Sequence, residues 1–174
     1  MFQLLCMVDE RNRKNQQRRR KNLQNEKNVK KLTAIEADEK LKNVKNYGGI
    51  VRLSDLKNLK IISYPVALLI HGYDHWIGIY ISEKTVEIMD SSGIFSSRDI
   101  ASSLQKFLCA QFYKKRFLCT PVLQSQSAST CGYYAVLFIF LRLQKNLSIS
   151  NFSSMFSSDL ANNDEIILDL YKCL

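Results

Sequence analysis

The chain has 174 residues, enough for one domain, and 46% of them are hydrophobic, enough for a substantial core. Its net charge of +9 is concentrated between residues 9 and 31, where ten basic and three acidic residues lie. The five cysteines form no CxxC pair, which argues against a disulfide framework or a zinc site and indicates a reducing compartment. The longest apolar run, residues 133–141, falls well short of the ~20 residues that span a membrane.

The first 31 residues are predicted to be a flexible basic arm. Their apolar start, residues 1–8, precedes the basic stretch, which is the reverse of the order in a secretion signal, so we do not expect secretion. Residues 11–31 combine many like charges with few apolar positions and cannot bury enough surface to offset the entropy of ordering. The arm is either a solvated leader or a segment that binds DNA or directs nuclear import. Residues 32–174 then form the folded domain.

The first part of this domain is predicted to contain one helix followed by strands. Thr33 and Glu36 have the spacing of a capping box, and Gly48-Gly49 are expected to end the helix about four turns later. Short runs that are rich in β-forming residues and bounded by turn residues predict strands. These runs are residues 66–71, 76–82, 85–90 and 117–123.

Three more helices are predicted around these strands. Residues 96–112 begin with a serine cap and have one apolar stripe, whereas residues 131–144 are apolar on every side, as in a helix buried at the centre of a domain. A last helix is expected to begin at Asn162 or Asn163. Helices that flank a small sheet place the domain in the α+β class.

A histidine and an aspartate are predicted to meet at the open end of the hairpin formed by the second and third predicted strands. With a tight turn at Ser82-Glu83, His75 lies directly opposite Asp90, and opposite residues have Cβ atoms about 4.5–5.5 Å apart. A carboxylate at that distance fixes the tautomer of the imidazole and stabilises its protonated form. Glu87, another acid of the hairpin, points to the opposite face. Such a pair is either structural or the base and orienting acid of a catalytic site.

Cys131 is the candidate nucleophile. It follows a run of small polar residues and immediately precedes the buried helix, where the positive end of the helix dipole and a neighbouring imidazolium favour the thiolate. A lone cysteine is more often a small core hydrophobe, which is our interpretation of Cys109 and Cys119. The position of Cys131 and the His–Asp pair elsewhere in the chain favour catalysis instead.

Groups that bind an oxyanion and a substrate lie close to Cys131 in the sequence. The backbone amide of Cys131 is one donor, and a glutamine side chain, Gln124 or Gln126, is the second. Gly132 is expected to leave room for the backbone of a substrate. The chain therefore contains all the chemical groups of a cysteine peptidase.

These residues resemble the adenovirus-protease-like cysteine peptidases, and among them the proteases of Maverick/Polinton DNA transposons and related virus-like elements. The matching pieces occur in the family's order: His75-Trp76, the MDSSG of residues 89–93 in place of a pattern like FDSFG, Gln124, and Cys131-Gly132-Tyr133. The interval from Gln124 to Cys131 fits the adenovirus-like spacing. The more distant SUMO-deconjugating proteases share the order, but their glutamine usually lies one residue closer to the cysteine. Before His75, the sequence HGYD departs from the small Gly-Thr pair common in the family.

The resemblance implies a papain-like or adenain-like fold, with a small mixed sheet flanked by helices and the nucleophile at the N-terminus of a buried helix. It implies thiolate attack on a peptide carbonyl, then hydrolysis of an acyl-enzyme, without a metal or other cofactor. Adenoviral relatives are stimulated by DNA and by a disulfide-linked peptide, so both are candidate activators here. The implied roles are Cys131 as nucleophile, His75 as general base, Asp90 as orienting acid, Gln124 in the oxyanion hole, and Trp76 and Gly132 beside the substrate.

Our first hypothesis is a monomeric endopeptidase that matures the capsid proteins of a virus-like DNA element, because the family's substrates are viral structural precursors often cut after small residues. It would act in the host nucleus or in a virion-like particle. Two alternatives stay open. One is an isopeptidase that removes ubiquitin-like modifiers from proteins, and the other is a catalytically inactive, domesticated domain that binds DNA through residues 11–31.

Overall fold

A computed structural model describes residues 29–93 and 98–174 of the chain. The predicted basic arm therefore lies outside the described residues, except for residues 29–31. The described strands are β1 Tyr47–Arg52, β2 Val66–Gly72, β3 His75–Ile81, β4 Thr85–Met89 and β5 Arg116–Cys119. The described helices are α1 Ala34–Leu41, α2 Arg98–Phe112, α3 Cys131–Lys145, α4 Ile149–Ser153 and α5 Leu160–Lys172, together with a 3₁₀ helix at Leu53–Asn58.

The five strands form one mixed sheet in chain order, β1-β2-β3-β4-β5. The two outer pairs, β1 with β2 and β4 with β5, are parallel, whereas β2, β3 and β4 form an antiparallel meander. Helices cover both faces of the sheet, so the predicted α+β class is confirmed. Among the helices of the described residues, none combines the length and hydropathy that crossing a membrane requires.

Each face of the sheet packs against its own hydrophobic core because side chains alternate along a strand. One face meets α2 and the 3₁₀ helix through a core that includes Ile77, Ile79 and Ile88. The other face meets α1, α3, α4 and α5 through a core that includes Leu69 and Tyr80. The central strand β3 is buried along its whole length except at its first residue, His75, which is half-buried.

The helix α3 packs directly over β3, as its uniformly apolar sequence predicts. Tyr134 and Phe138 are completely buried. Gly78 of β3 permits the close approach: a Cβ atom there would lie 3.1 Å from the carbonyl oxygen of Ala135 and 3.2 Å from the Phe138 ring. This contact brings the N-terminus of α3, at Cys131, to the end of the sheet where β3 begins.

The hairpin of β3 and β4 forms, but its predicted register is wrong by two residues. Ile79 lies opposite Ile88 and Ile81 lies opposite Val86. The turn falls one position later than predicted because Ser82 closes it, with its amide donating to the Thr85 carbonyl at 2.9 Å and its hydroxyl oxygen accepting from the Thr85 amide at 2.9 Å. A shift by two residues keeps every side chain on its predicted face.

The predicted first helix is too long, and a strand replaces its second half. The capping box at Thr33 and Glu36 forms as predicted, but α1 ends at Leu41. Gly48-Gly49 belong to β1, where Gly49 has a φ of 94° at an irregularity in the pairing with β2. Pairing with β2 thus overrides the local stop signal, since glycines in strands often mark such bulges.

Three other expectations differ from the structure in detail. The last helix is capped by Asp159, whose carboxylate accepts from the Asn162 amide, rather than by Asn162 or Asn163. The fifth strand ends at Cys119 instead of continuing to residue 123. The cysteines assigned to the core, Cys109 and Cys119, are exposed.

Candidate active site

His75 is placed by the tight turn between β2 and β3. The two turn residues, Tyr73 and Asp74, both adopt the left-handed conformation, with φ of 52° and 59°, and Gly72 pairs with His75 across them. Left-handed residues at both central positions define the two-residue turn whose twist matches that of the flanking strands. The histidine therefore leaves the sheet at a fixed position, at the edge of a cleft.

Asp90 follows the last residue of β4 and reaches His75 diagonally across the end of the hairpin. His75 Nε2 donates to Asp90 Oδ1 at 2.8 Å, and the aspartate is only 1% exposed. The backbone of Asp90 is fixed by Thr120, whose hydroxyl donates to the Asp90 carbonyl at 3.0 Å and accepts from its amide at 3.1 Å. The predicted His–Asp pair is thus present, although not as directly opposite residues. Because Nε2 is engaged by Asp90, Nδ1 is the nitrogen available to Cys131.

The surroundings of His75 favour its protonated form. Burial alone would lower its pKa, but hydrogen bonds to Asp90 and Cys131, reinforced by the charges of both groups, raise the pKa to about 9. His75 is therefore an imidazolium at neutral pH.

Cys131 is the first residue of α3 and is buried, with 7% of its surface exposed. Thr130 occupies the N-cap position, but within the described residues its hydroxyl makes no cap bond to the helix. Amides at a helix N-terminus that lack a cap are directed at whatever occupies the space in front of the helix. The thiol of Cys131 consequently lies beside donors suited to a negatively charged oxygen.

Gln124 is the glutamine that the structure brings into the site. The Ser91 hydroxyl donates to the side-chain oxygen of Gln124, Oε1, at 2.5 Å. The Ser91 carbonyl accepts from the backbone amide of Gln124 at 3.1 Å. These bonds direct Nε2 of Gln124 away from Ser91, and it donates to the Ala128 carbonyl at 3.2 Å. Gln126, the competing choice, is exposed and lines a neighbouring cavity beside His75, but it does not line the cavity that contains Cys131.

Two cavities meet at this cleft. One, of about 310 Å³, contains Cys131 together with Trp76 and residues 31–34. The other, of about 620 Å³, lies on the far side of His75 and includes Tyr73 and Val122. Asp74, His75 and Gln124 line both cavities. The cleft therefore extends to both sides of the imidazole, as an extended peptide substrate requires.

Gly132 has a packing role that the sequence analysis did not anticipate. A Cβ atom at this residue would lie 3.0 Å from Leu32 Cβ and 3.1 Å from Trp76 Cδ1. These two side chains thus occupy the direction in which a side chain of residue 132 would point, and Gly132 does not line either of the two cavities. Trp76 is 4% exposed and stacks on His71, with ring centroids 4.2 Å apart, while still lining the smaller cavity.

Glu87 points to the opposite face of the sheet from His75, as predicted. It is 3% exposed and accepts hydrogen bonds from Arg142 Nε and Nη2, each at 3.1 Å, and from the Ile149 amide. The carboxylate therefore joins β4 to α3 and α4. Its role in the described structure is to hold elements together.

Several residues of the site carried no recognisable sequence signal. Ser91 orients Gln124, Thr120 anchors Asp90, and His71 stacks on Trp76, but all three belong to strands or loops distant from Cys131 in the sequence. Only the MDSSG stretch, which contains Ser91, could have drawn attention to one of them. Residues 29–93 and 98–174 contain no cluster of His, Cys, Asp or Glu that could hold a metal ion.

A mixed α+β fold with a thiol at the start of a buried helix, facing a His–Asp pair at the end of the sheet, is that of a papain-like cysteine protease. The comparison with known families agrees. The chain belongs to the Ulp1 protease family, whose C-terminal catalytic domain matches residues 3–169. It is thus a cysteine protease domain, a hydrolase that needs no cofactor for its chemistry. A comparison with curated proteins gives no match.

Solved structures resemble this chain at low sequence identity. The central domain of the uncharacterized Lpg1148 protein from Legionella pneumophila is 11% identical with a TM-score of 0.54, covering 83% of this chain and 95% of that one. The C-terminal Ulp1 protease domain in complex with Smt3, the yeast ortholog of SUMO, is 15% identical with a TM-score of 0.44, covering 80% and 77%. ChlaDub1 from Chlamydia trachomatis is 14% identical with a TM-score of 0.42, covering 63% and 58%. The first of these likenesses bears on the fold alone.

Proposed function

We propose that this domain is an endopeptidase that cuts after a small residue, with Cys131 as nucleophile, His75 as acid and base, and Asp90 as the orienting acid. The observation that supports this most directly is the position of His75, which hydrogen-bonds Asp90 at 2.8 Å and lines the same cavity as Cys131, the first residue of α3. A thiol, a base and a third group that orients the base are the parts needed for nucleophilic catalysis.

The proposed reaction proceeds in two halves. The Cys131 thiolate attacks the peptide carbonyl carbon, and the resulting oxyanion accepts hydrogen bonds from the Cys131 amide and Gln124 Nε2. The His75 imidazolium gives its proton to the leaving amine as the C–N bond breaks, which leaves a thioester. The neutral imidazole then takes a proton from water, the hydroxide attacks the thioester, and the released thiolate again faces an imidazolium.

The walls of the smaller cavity support a small residue next to the cleaved bond. Trp76, stacked on His71, closes one side, and Leu32 closes another. Both flank Gly132, immediately after the nucleophile, so closely that a Cβ atom there would lie only 3.0–3.1 Å from them. A glycine or alanine in the substrate fits beside Cys131 under these conditions.

The proposed substrates are structural precursor proteins of a virus-like DNA element. Support comes from the adenovirus-like interval between Gln124 and Cys131 and from the resemblance of residues 89–93 to the family pattern. We further propose that the basic residues 11–31 bind DNA, which would hold the protease near packaged nucleic acid in the nucleus or particle.

Removal of a ubiquitin-like modifier is the second candidate function, and membership of the Ulp1 family favours it. The chemistry is the same, but the substrate is a folded modifier with an extended C-terminal tail. The two candidates are separated by comparing kcat/KM for a short Gly-Gly peptide with kcat/KM for a folded ubiquitin-like protein fused to the same leaving group. A precursor protease uses both similarly, whereas a deconjugase prefers the folded fusion by about 100-fold or more, since remote binding energy raises its rate.

The first experiment is active-site labelling. The protein is treated with a Gly-Gly peptide that ends in a thiol-reactive electrophile, with and without DNA, and the adduct is located by mass spectrometry. Cys109, Cys119 and Cys173 are exposed and act as internal controls for nonspecific alkylation. We expect selective labelling of Cys131, which the Cys131→Ala variant abolishes. Equal labelling of the exposed cysteines, or none at Cys131 in folded protein, would refute an assembled protease site.

A further inference from the structure

A buried carboxylate outside the proposed mechanism holds the loop that leads to the nucleophile. Asp164 lies in α5 and is 4% exposed. Its Oδ2 accepts from the Ser125 amide at 2.9 Å, and its Oδ1 accepts from the Thr130 hydroxyl at 2.5 Å. Ser125 directly follows Gln124, and Thr130 directly precedes Cys131. One side chain therefore joins the two ends of the segment between the proposed oxyanion donor and the proposed nucleophile.

The neighbouring residue of α5 fixes the same loop from the other side of Gln124. Asn163 is completely buried, and its Nδ2 donates to the Leu123 carbonyl at 3.0 Å and to the Ser157 carbonyl at 2.9 Å. Its Oδ1 accepts from the Ser157 amide at 2.9 Å. The adjacent side chains of Asn163 and Asp164 thus hold residue 123 and residues 125 and 130, respectively. Gln124, which lies between them, can direct its side-chain amide toward the cleft.

The bond from Thr130 to Asp164 has a consequence for α3. A threonine at an N-cap normally accepts a hydrogen bond from the second or third amide of its helix. Here the hydroxyl of Thr130 is committed to Asp164, and it makes no cap bond to α3 in the described residues. The hydroxyl therefore does not occupy the amides of Cys131 and Gly132 at the start of α3, whereas the next amide, that of Tyr133, donates to the Thr130 carbonyl at 2.9 Å.

Burial of a carboxylate is unfavourable unless its oxygens are fully hydrogen-bonded, and charge-assisted bonds are shorter and stronger than neutral ones. Asp164 therefore resists movement of the loop, since a displacement of Ser125 or Thr130 takes a hydrogen-bond donor away from a buried carboxylate. This penalty makes a buried carboxylate an effective anchor.

We propose that Asp164 is a positioning residue that holds the loop of residues 124–130 in the geometry that oxyanion binding requires. The inference rests on the proposed peptidase function. Asp164 acts through Ser125 and Thr130 and does not touch the reacting atoms. A misplacement of about 1 Å in a catalytic group can cost about 100-fold in rate.

The test compares Asp164→Ala with Asp164→Asn, Thr130→Val and a matched control, Asp169→Ala. Asp169 lies on the same helix, has a side chain that is 75% exposed, and pairs with Lys172 at the surface. Each protein is assayed for kcat and KM on a peptide, for affinity toward a peptide aldehyde, and for alkylation of Cys131 by iodoacetamide. The aldehyde forms a tetrahedral adduct that needs the oxyanion donors, whereas iodoacetamide needs only the thiolate.

We expect Asp164→Ala to lower kcat by about 100-fold and to weaken aldehyde binding similarly, with KM and iodoacetamide alkylation changed by less than about threefold. An asparagine can accept from the Ser125 amide and donate to Thr130, so Asp164→Asn is expected to recover most of the loss. Thr130→Val should show a smaller loss in the same direction, and Asp169→Ala none. Unchanged kcat in Asp164→Ala, or parallel losses of aldehyde binding and iodoacetamide alkylation, would overturn the proposal.

Amide hydrogen exchange tests the anchor independently of activity. In folded Asp164→Ala, the Ser125 amide and its neighbours in residues 124–130 should exchange at least about tenfold faster, while the amides of β3 keep their protection. If the Ala variant does not fold, Thr130→Val and Asp164→Asn decide the question by the same measurements. If the wild type neither cleaves peptides nor binds the aldehyde, the proposed function is refuted. The anchoring role of Asp164 is refuted separately, if hydrogen exchange in residues 124–130 is the same in Asp164→Ala as in the wild type.

Discussion

The two histidines of the chain lie four residues apart on one hairpin and are in opposite states. Burial lowers the pKa of His71, which stacks on Trp76 and stays neutral at pH 7. His75 is also buried, but its hydrogen bonds to Asp90 and Cys131 raise its pKa to about 9. Both residues are histidines, so the groups around each one decide which of them is a cation that can serve as an acid and a base.

Hydrolysis should therefore fall as the pH rises through about 9. In the proposed mechanism the imidazolium of His75 protonates the leaving amine, and deprotonation removes that acid. Asp90→Asn removes a charge that raises the His75 pKa, so the alkaline limb of the kcat profile is expected to move to lower pH and kcat to fall by about 10²–10⁴-fold. Profiles of kcat against pH for both proteins check this. Superimposable alkaline limbs would show that Asp90 does not set the protonation of His75.

The same shift affects stability with a defined sign. The folded-state pKa of His75, about 9, lies above its ordinary value of 6.5. The stabilisation that this provides is fully present below pH 6.5 and is lost as the pH rises from there through about 9.

Glu87→Gln separates a structural carboxylate from the proposed catalytic one. Glu87 lies in the same hairpin as Asp90 but bonds Arg142 and the Ile149 amide in the opposite core. Loss of its charge should lower the free energy of unfolding by about 1–3 kcal/mol, since Arg142 is only 12% exposed and loses its ionic partner. The kcat per folded molecule should stay within about twofold of wild type. Denaturation curves and single-turnover assays check both parts, and a selective loss of kcat would contradict the assignment.

The two turns of the antiparallel meander each have two residues, but their backbone conformations differ. In the turn between β2 and β3, Tyr73 and Asp74 have left-handed backbones, whereas Glu83 and Lys84 in the turn between β3 and β4 are not among the described residues with positive φ. The left-handed turn comes immediately before His75. It sets the histidine at the cleft through a conformation that most side chains disfavour.

Tyr73→Asn should stabilise the domain. A left-handed backbone costs an ordinary residue about 1–2 kcal/mol, and asparagine is strongly preferred at this turn position. Tyr73 is 71% exposed, so little packing is removed. We expect the Tm to rise by about 2–4 °C per kcal/mol gained. The matched substitution Glu83→Asn, at a turn without positive φ, should give no such rise, and an equal gain in both turns would contradict the explanation.

At the scale of the whole molecule, the site is assembled at one end of the sheet from segments far apart in the sequence. His75 begins β3, Asp90 follows β4, and Gln124 and Cys131 flank the loop into α3. The described end of the basic arm also lies here: Lys30 accepts at its carbonyl from the Tyr133 hydroxyl, and Lys31 bonds the exposed Asp74. The chain thus passes from the arm into the domain beside the cleft.

Removal of residues 1–28 should weaken DNA binding without disassembling the site. This segment contains eight basic and three acidic residues, and every phosphate that the truncated protein no longer neutralises reduces the slope of log K against log salt by about 0.9. Binding is measured by fluorescence anisotropy at several salt concentrations, and Cys131 labelling by the Gly-Gly electrophile reports on the site. Unchanged DNA affinity would refute the proposed role of the arm, and loss of labelling together with the fold would show that the segment is structural.

Much of this fold was predictable because its elements have strong local signals. The stripe of Ile100, Leu104 and Phe107 predicts α2, and the uniformly apolar stretch after Cys131 predicts the central helix; both are confirmed. The strand β1 was not predicted, since its two glycines favour a turn in isolation and form a strand only when β2 is present to pair with them. The register of the β3–β4 hairpin was also wrong, because one hydroxyl, that of Ser82, moves the turn by a single position.

The sequence by itself determined the α+β class and the chemical groups of the site, because periodicity and side-chain chemistry are local properties of a chain. It also predicted that His75 and Asp90 would meet, since strand alternation survives a register shift of two residues. Only the tertiary structure decided that Gln124 rather than Gln126 lines the cavity of Cys131, that Leu32 and Trp76 occupy the side-chain direction of Gly132, and that Asp164 bonds both ends of the loop before Cys131. These outcomes depend on hydrogen bonds and packing between segments far apart in the chain, and such interactions leave no periodic trace in the sequence.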